Sequence, residues 1–476
     1  MRYQLTVRLL QKIAALIVVA TVALHGDSPS KAADNADLPR SPNIIVILAD
    51  DLGYGDLHCY GQQRIQTPRL DRLAAEGVRF TDCYAGCTVC APSRCTLMTG
   101  LHTGHCRIRG NAQVPLEAND VTVAEVLKTA GYATGIIGKW GLGEAGTSGA
   151  PNEQGFDHWF GYLSQHHAHN YYPDFLWRNR DKEPVVGNVV RDGVASERAV
   201  YSQDLFVREA ITFLDRQQAH PFFLYLAFTS PHANNEAGKQ GMEVPSDAPY
   251  TNESWPQPQK NHAAMITRLD RDIGIVLDHL QDLGIADKTI VLFSSDNGPH
   301  KEGGADPNFF HSSGPLRGIK RDLYEGGIRV PGIAKWPGQI AAGSTSDLPW
   351  AFWDVLPTLA EIAQVQPPAG LDGISILPTL VGPPRAGHTQ QHHDYLYWEF
   401  HERGFQQAIR TGNWKGIRSG MSTPIALYDL ASDIAETRNV ADANPQVAAK
   451  LTALIDSART ESPDWPLPAG AQPSKH

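Results

Sequence analysis

Short runs of apolar residues are separated by longer polar stretches over most of this chain. Four of these runs are continuous and rich in β-branched or aromatic residues: 43–49, 133–138, 222–228 and 289–293. Such a run is typical of a strand buried on both faces in a parallel sheet. Helical periodicity or helix punctuation marks five other segments: 67–77, 121–130, 203–217, 260–283 and 353–364. Strands that alternate with helices predict a large α/β domain.

The pattern changes after the proline-rich stretch 367–384. Three later segments alternate like antiparallel strands, and the last periodic segment is helical: 395–400, 407–417, 426–430 and 445–460. We therefore expect a catalytic domain over residues 42–385. A C-terminal subdomain over 386–476 would consist of a small antiparallel sheet with a packed helix.

The N-terminal residues 1–32 have the pattern of an export signal. Arg2, Arg8 and Lys12 are basic, an apolar run covers 13–24, and small residues surround Ala32. The apolar run is shorter than the roughly 20 residues of a membrane span. A periplasmic or secreted protein without a stable membrane anchor is the expectation, and an uncleaved N-terminal anchor is the alternative.

Charge and cysteine content narrow the function. The 476 residues carry a net charge of −10, and without a basic tail or patch a nucleic-acid partner is not expected. All six cysteines lie between Cys59 and Cys106. Their spacing lacks the paired pattern of zinc ribbons. In an exported protein some of them could form disulfides, with a connectivity that spacing does not define.

Reactive residues follow the buried strands directly. Asp50 and Asp51 come after the first, Lys139 after the second, His232 after the third, and Asp296 with Asn297 after the fourth. The carboxyl ends of parallel strands share one sheet edge, where ligands bind in open α/β folds. Three carboxylates and an amide oxygen predict a site for a hard cation, Ca²⁺ in the first place and Mg²⁺ as the alternative.

The segment Cys90-Ala91-Pro92-Ser93-Arg94 joins a thiol, a proline, a hydroxyl and a guanidinium. A proline in the first helical turn predicts that Cys90 lies at a helix N-terminus, where N–H groups favour an anion. Arg94 adds a planar cation suited to a tetrahedral oxyanion. The segment predicts a reactive group at a sulfate or phosphate site.

The stretch from Cys90 to Gly100 also resembles the type I sulfatase signature C-x-P-S-R-x-x-L-x-T-G, and every fixed position matches. The later motifs Gly138-Lys139-Trp140, Pro231-His232 and Asp296-Asn297-Gly298, and the lysine before Tyr324-Glu-Gly-Gly, follow in the order of that family. The resemblance covers about residues 42–440. It implies an alkaline phosphatase-like α/β/α sandwich with a large mixed sheet.

The resemblance also implies the roles of the site residues. A maturation enzyme would oxidise Cys90 to Cα-formylglycine, whose hydrate attacks sulfur, and Arg94 would stabilise it. The metal ligands would be Asp50, Asp51, Asp296 and Asn297. The remaining catalytic group would bind sulfate and transfer protons: Lys139, His232 and Lys320.

One departure from the family concerns sulfate release. Many members have G-K-W-H-L-G, whereas this chain has Gly141 in place of the histidine thought to assist that step. The loop 161–174 contains His167 and His169, and we expect His169 to supply the missing base. Because aromatic and hydrogen-bonding residues suit a sugar, we also expect His169 and His401, in the segment 398–401, to line the sugar subsite.

These features together predict a sulfuric ester hydrolase. Its substrate would be a sulfated carbohydrate, with aryl sulfates as surrogates. Two alternatives remain at this stage: a phosphonate or phosphate ester hydrolase of the same superfamily, and an inactive carbohydrate-binding protein on the same scaffold.

Overall fold

A computed structural model describes residues 38–468 of the chain. The predicted export signal at 1–32 lies outside the described residues. Between residues 38 and 468, no helix has both the length and the apolar character that a bilayer crossing requires.

The strands belong to one large sheet, one small sheet and two short pairs. Their bounds are β1 Asn43–Ala49, β2 Val78–Phe80, β3 Cys83–Tyr84, β4 Ala133–Lys139, β5 His158–Tyr162, β6 Phe175–Arg178, β7 Asp181–Pro184, β8 Val189–Arg191, β9 Val194–Glu197, β10 Phe222–Ala227, β11 Thr289–Ser295, β12 Gly332–Lys335, β13 Ser344–Ser346, β14 Trp350–Ala351, β15 Leu396–Phe400, β16 Gln406–Thr411, β17 Trp414–Ser419 and β18 Ala426–Asp429.

The large sheet has ten strands in the order β13-β2-β12-β11-β1-β10-β4-β5-β6-β7. Its five central strands, from β11 to β5, are parallel. Strand β12 is antiparallel to β11, and β6 is antiparallel to β5, so the sheet is mixed. The four predicted apolar runs form four of the central strands. The outer strand β6 is only four residues long and partly exposed, and β7 is exposed and polar, which is why the apolar pattern did not reveal them.

Helices cover both faces of this sheet. The α-helices are α1 Pro68–Ala75, α2 Cys90–Thr99, α3 Val123–Thr129, α4 Ser202–Gln217, α5 Gln257–Asp282, α6 Pro307–Phe310, α7 Glu325–Ile328, α8 Val355–Ile362, α9 Leu377–Val381, α10 Pro383–Ala386 and α11 Pro445–Ser457. Ile44, Val46 and Leu48 of β1 pack into the core formed with α2, α3 and α8. Ile45 and Ile47 pack into the opposite core, with α1, α4 and α5. This is the expected α/β/α sandwich.

A four-stranded antiparallel sheet, β15-β16-β17-β18, follows near the C-terminus. One face packs against α11 through Ile409, Leu427 and Leu451. The other face contributes Trp398 and Tyr428 to a core shared with segments near the start of α2. The small sheet is confirmed, while the boundary at residue 385 stays a prediction because residues 38–468 belong to one compact unit.

Candidate active site

Four adjacent parallel strands present the candidate site residues at one sheet edge. Asp50 and Asp51 follow β1, Lys139 is the last residue of β4, His232 lies five residues beyond β10, and Asp296 follows β11. Backbone hydrogen bonds from Asp50 N–H to Ser230 and from Asp296 N–H to Ala49 extend the sheet into this edge. Each of the named side chains is at most 3% exposed. A parallel sheet thus brings together residues that are far apart in sequence.

The oxygen-bearing side chains converge at the ends of β1 and β11. Asn297 Nδ2 donates to Asp51 Oδ1 at 2.6 Å, and the Asp51 N–H donates to Asp296 Oδ1 at 3.1 Å. Asp51 has a left-handed φ of 66°, a backbone conformation that a non-glycine residue adopts at a cost. Asn297 Oδ1 is buried without a hydrogen-bond partner among the described residues. An unsatisfied buried oxygen beside three carboxylates has the chemistry of a cation ligand.

Cys90 lies at the N-terminus of α2, as the proline in the motif predicts. Its Sγ is 3.4 Å from Asp50 Oδ1. The next N–H of the helix, that of Ala91, donates to Asn111 Oδ1 at 3.0 Å. Burial in the first place, and Asp50 in the second, raise the pKa of the Cys90 thiol well above its ordinary value. Residue 90 is therefore held in the centre of the charged groups.

Three cations surround residue 90 and the carboxylates. Arg94 donates from Nε and Nη2 to Asp296 Oδ2 at 3.0 and 2.8 Å, and from Nη1 to the Lys139 carbonyl at 2.8 Å. Lys139 Nζ is 2.6 Å from Asp50 Oδ2. Lys320 Nζ is 2.8 Å from the second carboxylate, at Asp51 Oδ2. Such a concentration of positive charge suits a tetrahedral oxyanion in a chain that is acidic overall.

Electrostatics sets the charges of these groups. Burial alone would lower the pKa of Lys139, but Asp50 raises it above its ordinary value. Lys320 behaves in the same way, because Asp51 raises its pKa against the effect of burial. Burial would raise the pKa of Asp50, but the cation Lys139, with Arg94 and Lys320, lowers it. The two lysines are cations and Asp50 is an anion.

Asp296 differs from Asp50. Burial first, and the neighbouring Asp50 second, raise the pKa of Asp296 to about 7, although Arg94 opposes them. Three carboxylates therefore crowd one buried edge, and a group of this kind is stabilised by added positive charge.

His232 is a neutral acceptor in this arrangement. Its Nδ1 is 2.7 Å from the Ala233 carbonyl, to which it can only donate. Nε2 then has a free lone pair, and Lys320 Nζ donates to it at 3.1 Å. Burial, followed by Lys320, lowers the pKa of His232 well below its ordinary value. Of the two predicted proton-transfer residues, Lys320 carries the proton.

His169 packs directly on His232. The two rings are stacked with centroids 4.9 Å apart and planes 12° apart. His169 Nδ1 contacts both oxygens of Glu236, at 3.0 and 3.2 Å. Burial, followed by Lys139, lowers the pKa of His169. His169 is therefore a neutral imidazole that borders the site and is oriented by a carboxylate.

The other histidine considered for sulfate release, His167, points elsewhere. Its ring lies 4.4 Å from that of Phe175 and 4.9 Å from that of Tyr162. Burial lowers the pKa of His167 to about 4. Its surroundings are those of a core residue, so it is not among the groups at the sheet edge.

Gly141 has a φ of 78°, and a Cβ at this position would lie 2.3 Å from Gln165 Nε2. The carboxamide of Gln165 therefore occupies the space into which a side chain at 141 would extend. Gln165 Nε2 is buried without an acceptor among residues 38–468.

His401 is held away from these groups. Its Nε2 is 3.0 Å from Glu399 Oε1, and its ring packs against Phe405 and Trp465. Trp398, at the start of the same predicted segment, is fully buried and donates to the Ala85 carbonyl. Trp398 is a core residue, and a sugar contact by His401 stays a prediction.

The structure adds charged residues that the sequence pattern did not single out. Glu302 contacts Lys320 at 3.4 Å and is ion-paired with Arg321. Glu402 accepts from Arg321 Nε at 3.3 Å. Arg321 has a left-handed φ of 75°. In the sequence, its position directly after the catalytic candidate Lys320 is what could have drawn attention to these three charged residues. Isolated charges on loops have no periodicity, so sequence reasoning missed them.

The six cysteines, which all lie in the described part of the chain, are free thiols. No disulfide joins the five that accompany Cys90 in this region. Cys87, three residues before Cys90, is fully buried and contacts the Glu399 carbonyl at 3.6 Å. Cys87 therefore belongs to the packing around the start of α2.

Comparison with known proteins agrees with this geometry. Residues 42–365 match the family model described as Sulfatase, and residues 319–461 match the model described as N-sulphoglucosamine sulphohydrolase, C-terminal. The chain is 33% identical to arylsulfatase A of Homo sapiens over 489 residues, which cover 89% of this chain and 90% of that protein.

Two further matches extend over most of the chain. N-acetylgalactosamine-6-O-sulfatase of Bacteroides thetaiotaomicron is 29% identical over 516 residues, covering 92% of this chain and 97% of that protein. The crystal structure of Ps i-CgsB in complex with k-i-k-neocarrahexaose matches with a TM-score of 0.76 and 26% identity. It covers 90% of this chain and 96% of that one.

Proposed function

This chain belongs to the sulfatase family and is a sulfuric ester hydrolase, and we propose that it removes sulfate from a sulfated carbohydrate by means of a formylglycine at position 90. The observation that carries the proposal is the position of Cys90. It lies buried at a helix N-terminus, between Asp50 and the cations Arg94, Lys139 and Lys320. The maturation of Cys90 by a formylglycine-generating enzyme and the export of the chain to the periplasm or beyond are part of the proposal.

A divalent cation would complete the site, with Ca²⁺ as the first choice and Mg²⁺ as the alternative. Asp50, Asp51, Asp296 and Asn297 would hold it. Asn297 Oδ1, which is buried without a partner among residues 38–468, and the raised pKa of Asp296 both fit a cation held at this position. The ion would supply Lewis-acid stabilisation of negative charge at residue 90 and on the sulfate.

The aldehyde at residue 90 would supply, as its hydrate, the oxygen that attacks sulfur. Arg94 is held rigidly by Asp296 and the Lys139 carbonyl, so its guanidinium would stabilise negative charge at residue 90 without reorganising. Lys139 and Lys320 would bind the sulfate oxygens as point charges.

Proton transfer to the leaving alcohol would come from Lys320. Lys320 Nζ is protonated and already donates to His232 Nε2. The Nδ1–H of His232 is fixed on the Ala233 carbonyl, so Nε2 would accept a hydrogen bond from the ammonium group of Lys320 and orient it towards the leaving alcohol.

A later proton must leave residue 90 before sulfate is released, and Gly141 offers no base for it. His169 is the best candidate for this base, because its Nδ1 is held by Glu236 and its Nε2 is thereby left to accept a proton. Gln165, which fills the space next to Gly141, has an amide that cannot take a proton.

Mass spectrometry of residue 90 tests the proposal. Trypsin releases the peptide Phe80–Arg94, and in active enzyme its mass should show SH₂ replaced by O at Cys90. Cys83 and Cys87 on the same peptide serve as internal unmodified thiols. Fully active enzyme with a thiol at position 90 would contradict the proposal.

A paired assay tests the reaction class. The enzyme should hydrolyse p-nitrophenyl sulfate with a kcat/KM well above that for p-nitrophenyl phosphate and phenyl phosphonate esters. The reverse preference would favour a phosphonate or phosphate ester hydrolase.

A further inference from the structure

The two imidazoles that stack at the active site come from different segments of the chain. His169 ends a single helical turn, His167–His169, in the loop after β5. His232 ends a turn beyond β10, and its N–H donates to the Thr229 carbonyl at 2.9 Å. The stacking of the two rings therefore depends on how the loop is fixed to the turn.

Tyr171 makes that connection. It lies two residues after His169, and its hydroxyl donates to the carbonyls of Thr229 and His232, each at 2.7 Å. These carbonyls are the two ends of the turn. The side chain is fully buried, and burial raises the pKa of the Tyr171 hydroxyl well above its ordinary value, so the hydroxyl keeps its proton. Buried hydrogen bonds thus hold the loop of His169 against the turn of His232.

Tyr171 is itself fixed to the scaffold. Its carbonyl accepts the N–H of Ser202, the first residue of α4, at 2.9 Å, and its N–H donates to Glu243 Oε2 at 3.4 Å. Its ring stacks on that of Tyr201, with centroids 5.4 Å apart and planes 11° apart. A side chain that is locked in this way can define the position of the groups to which it bonds.

His232 has two supports that do not involve Tyr171. Its Nδ1–H is fixed on the Ala233 carbonyl, and Lys320 donates to its Nε2 at 3.1 Å. Loss of the Tyr171 hydroxyl would leave both of these contacts in place. The arrangement of His232 with the proton-carrying lysine is therefore expected to survive that change.

His169 depends more on the loop that carries it. Its Nδ1 contacts Glu236, a side chain that is 20% exposed, and its ring stacks on His232. If the bonds from Tyr171 to the turn were lost, the loop would be free to shift. The distance between His169 and residue 90 would change with it.

We propose that Tyr171 is a positioning residue for sulfate release: its hydroxyl bonds the turn of His232 to the loop of His169, and so keeps His169 at the distance from residue 90 that proton transfer requires. The inference rests on the proposed function, in which His169 accepts the proton that leaves residue 90. Tyr171 acts through His169 and takes no part in binding sulfate or in releasing the alcohol.

Tyr171→Phe tests the inference, because it removes the hydroxyl and retains the ring. It should lower kcat for p-nitrophenyl sulfate about tenfold, since a small displacement of a base slows proton transfer. KM should fall in parallel and leave kcat/KM within about twofold of the wild type, because the slowed step follows release of the alcohol. Stopped-flow traces should show a burst of p-nitrophenol. An unchanged kcat, or a loss in kcat/KM as large as that in kcat, overturns the inference.

Tyr60→Phe is a matched control for the loss of a buried hydroxyl. Tyr60 also donates to two carbonyls at 2.7 Å each, those of Phe80 and Gly332, which pair β2 with β12. Both variants should lower the melting temperature by several degrees. Tyr60→Phe should nevertheless keep kcat within about twofold of the wild type and show no burst. An equal loss of kcat in the two variants overturns the inference.

Tyr201→Phe controls for the packing around Tyr171. The ring of Tyr201 stacks on Tyr171, whereas its hydroxyl donates to the Glu243 carbonyl at 3.2 Å. This variant should keep the kinetics of the wild type. A burst in Tyr201→Phe would assign the effect to the packing of the tyrosines and overturn the role of the Tyr171 hydroxyl.

A double variant shows whether Tyr171 acts through His169. In the His169→Ala background, Tyr171→Phe should change kcat by less than about twofold, because the base that it positions is already absent. A further loss of about tenfold would place the effect of Tyr171 elsewhere and overturn the inference.

The same variants separate this inference from the proposed function. If His169→Ala loses activity with a burst and Tyr171→Phe does not, the proposed reaction stands and the inference is refuted. If His169→Ala retains the full kcat, the proposed base is refuted, and an enzyme that hydrolyses no sulfate ester refutes the proposed reaction itself.

Discussion

Cys90 and Cys87 are both buried at the start of α2, but only Cys90 contacts the charged edge of the sheet. Cys90→Ala should lower kcat by at least about 10³-fold, because it removes the proposed nucleophile. Its melting temperature should change little. Cys87→Ala should keep kcat and lose about 1 kcal/mol of stability, since it alters packing alone. Steady-state kinetics with thermal melts measures both, and a Cys87→Ala variant without activity would contradict the assignment.

His169 and His166 form a matched pair, because both contact Glu236 but only His169 stacks on His232. His169→Ala should lower kcat for p-nitrophenyl sulfate about 10²-fold, the usual effect of losing a general base. Because the slowed step follows release of the alcohol, stopped-flow traces should show a burst of p-nitrophenol.

His166→Ala, a change at a side chain that is 70% exposed, should stay within about threefold of the wild type and show no burst. Glu236→Gln should show a smaller burst, because Glu236 only orients the imidazole. If His169→Ala raises KM alone and no burst appears, His169 is a sugar ligand and not the base.

The pattern of apolar runs was sufficient to predict four of the five central strands and the C-terminal sheet, because buried strands leave a continuous or alternating signal. It also predicted which residues meet, since parallel strands share one edge. Lys320 does not follow a buried strand, so only the resemblance to the sulfatase family indicated that it belongs to the site. Glu302, Arg321 and Glu236 were missed because they come from loops, and their proximity depends on chain folding that periodicity does not encode.

Helix α7 and the C-terminal sheet are joined by buried charges. Lys415 of β17 contacts Glu325 at 2.8 Å and Glu436 at 3.0 Å. Burial would raise the pKa of Glu325, but Lys415 and Arg329 lower it to about 2. Burial raises the pKa of Glu436 to about 7, with Glu325 adding to this against the opposing effect of Lys415. Lys415 is thus shared between the two carboxylates, whereas Glu325 has a second cation in Arg329, at 3.2 Å.

This arrangement predicts a pH dependence of stability. Unfolded Glu436 loses its proton near its ordinary pKa of 4.5, whereas folded Glu436 keeps it up to about pH 7. Folded Glu436 therefore binds more protons than unfolded Glu436 in this window, and its contribution to the free energy of unfolding should fall as pH rises from 4.5 to 7. Glu436→Gln cannot ionise, so it should lack this fall and gain one or two kcal/mol, roughly, relative to the wild type at pH 8.

Denaturant unfolding at pH 4.5, 6 and 8 measures the difference between Glu436→Gln and the wild type. Glu253→Gln, at an exposed position, is the control and should have a pH profile parallel to that of the wild type. Parallel profiles for Glu436→Gln and the wild type would show that the pKa of Glu436 is the same in the folded and unfolded states, which contradicts the prediction.

The metal-ligand candidates connect two neighbouring strands of the central sheet, because Asp50 and Asp51 follow β1 whereas Asp296 and Asn297 follow β11. Three buried carboxylates there face Arg94, Lys139 and Lys320, the cations that we propose to stabilise the reacting group and to bind sulfate. In this arrangement Lys139 and Lys320 each pair with a carboxylate, at 2.6 and 2.8 Å. A bound divalent cation would compete for the same carboxylates and leave the lysines available to sulfate.

Removing the cation should therefore affect the molecule as a whole as well as its activity. A ligand at 100 times its Kd stabilises the folded state by about 2.7 kcal/mol, so EDTA should lower the melting temperature by several degrees. It should also abolish hydrolysis of p-nitrophenyl sulfate, and excess Ca²⁺ should restore both. Asp296→Asn, which weakens the site, should show a much smaller EDTA effect on melting. Metal analysis that finds no divalent ion in active enzyme would refute the assignment, as would an unchanged melting temperature in EDTA.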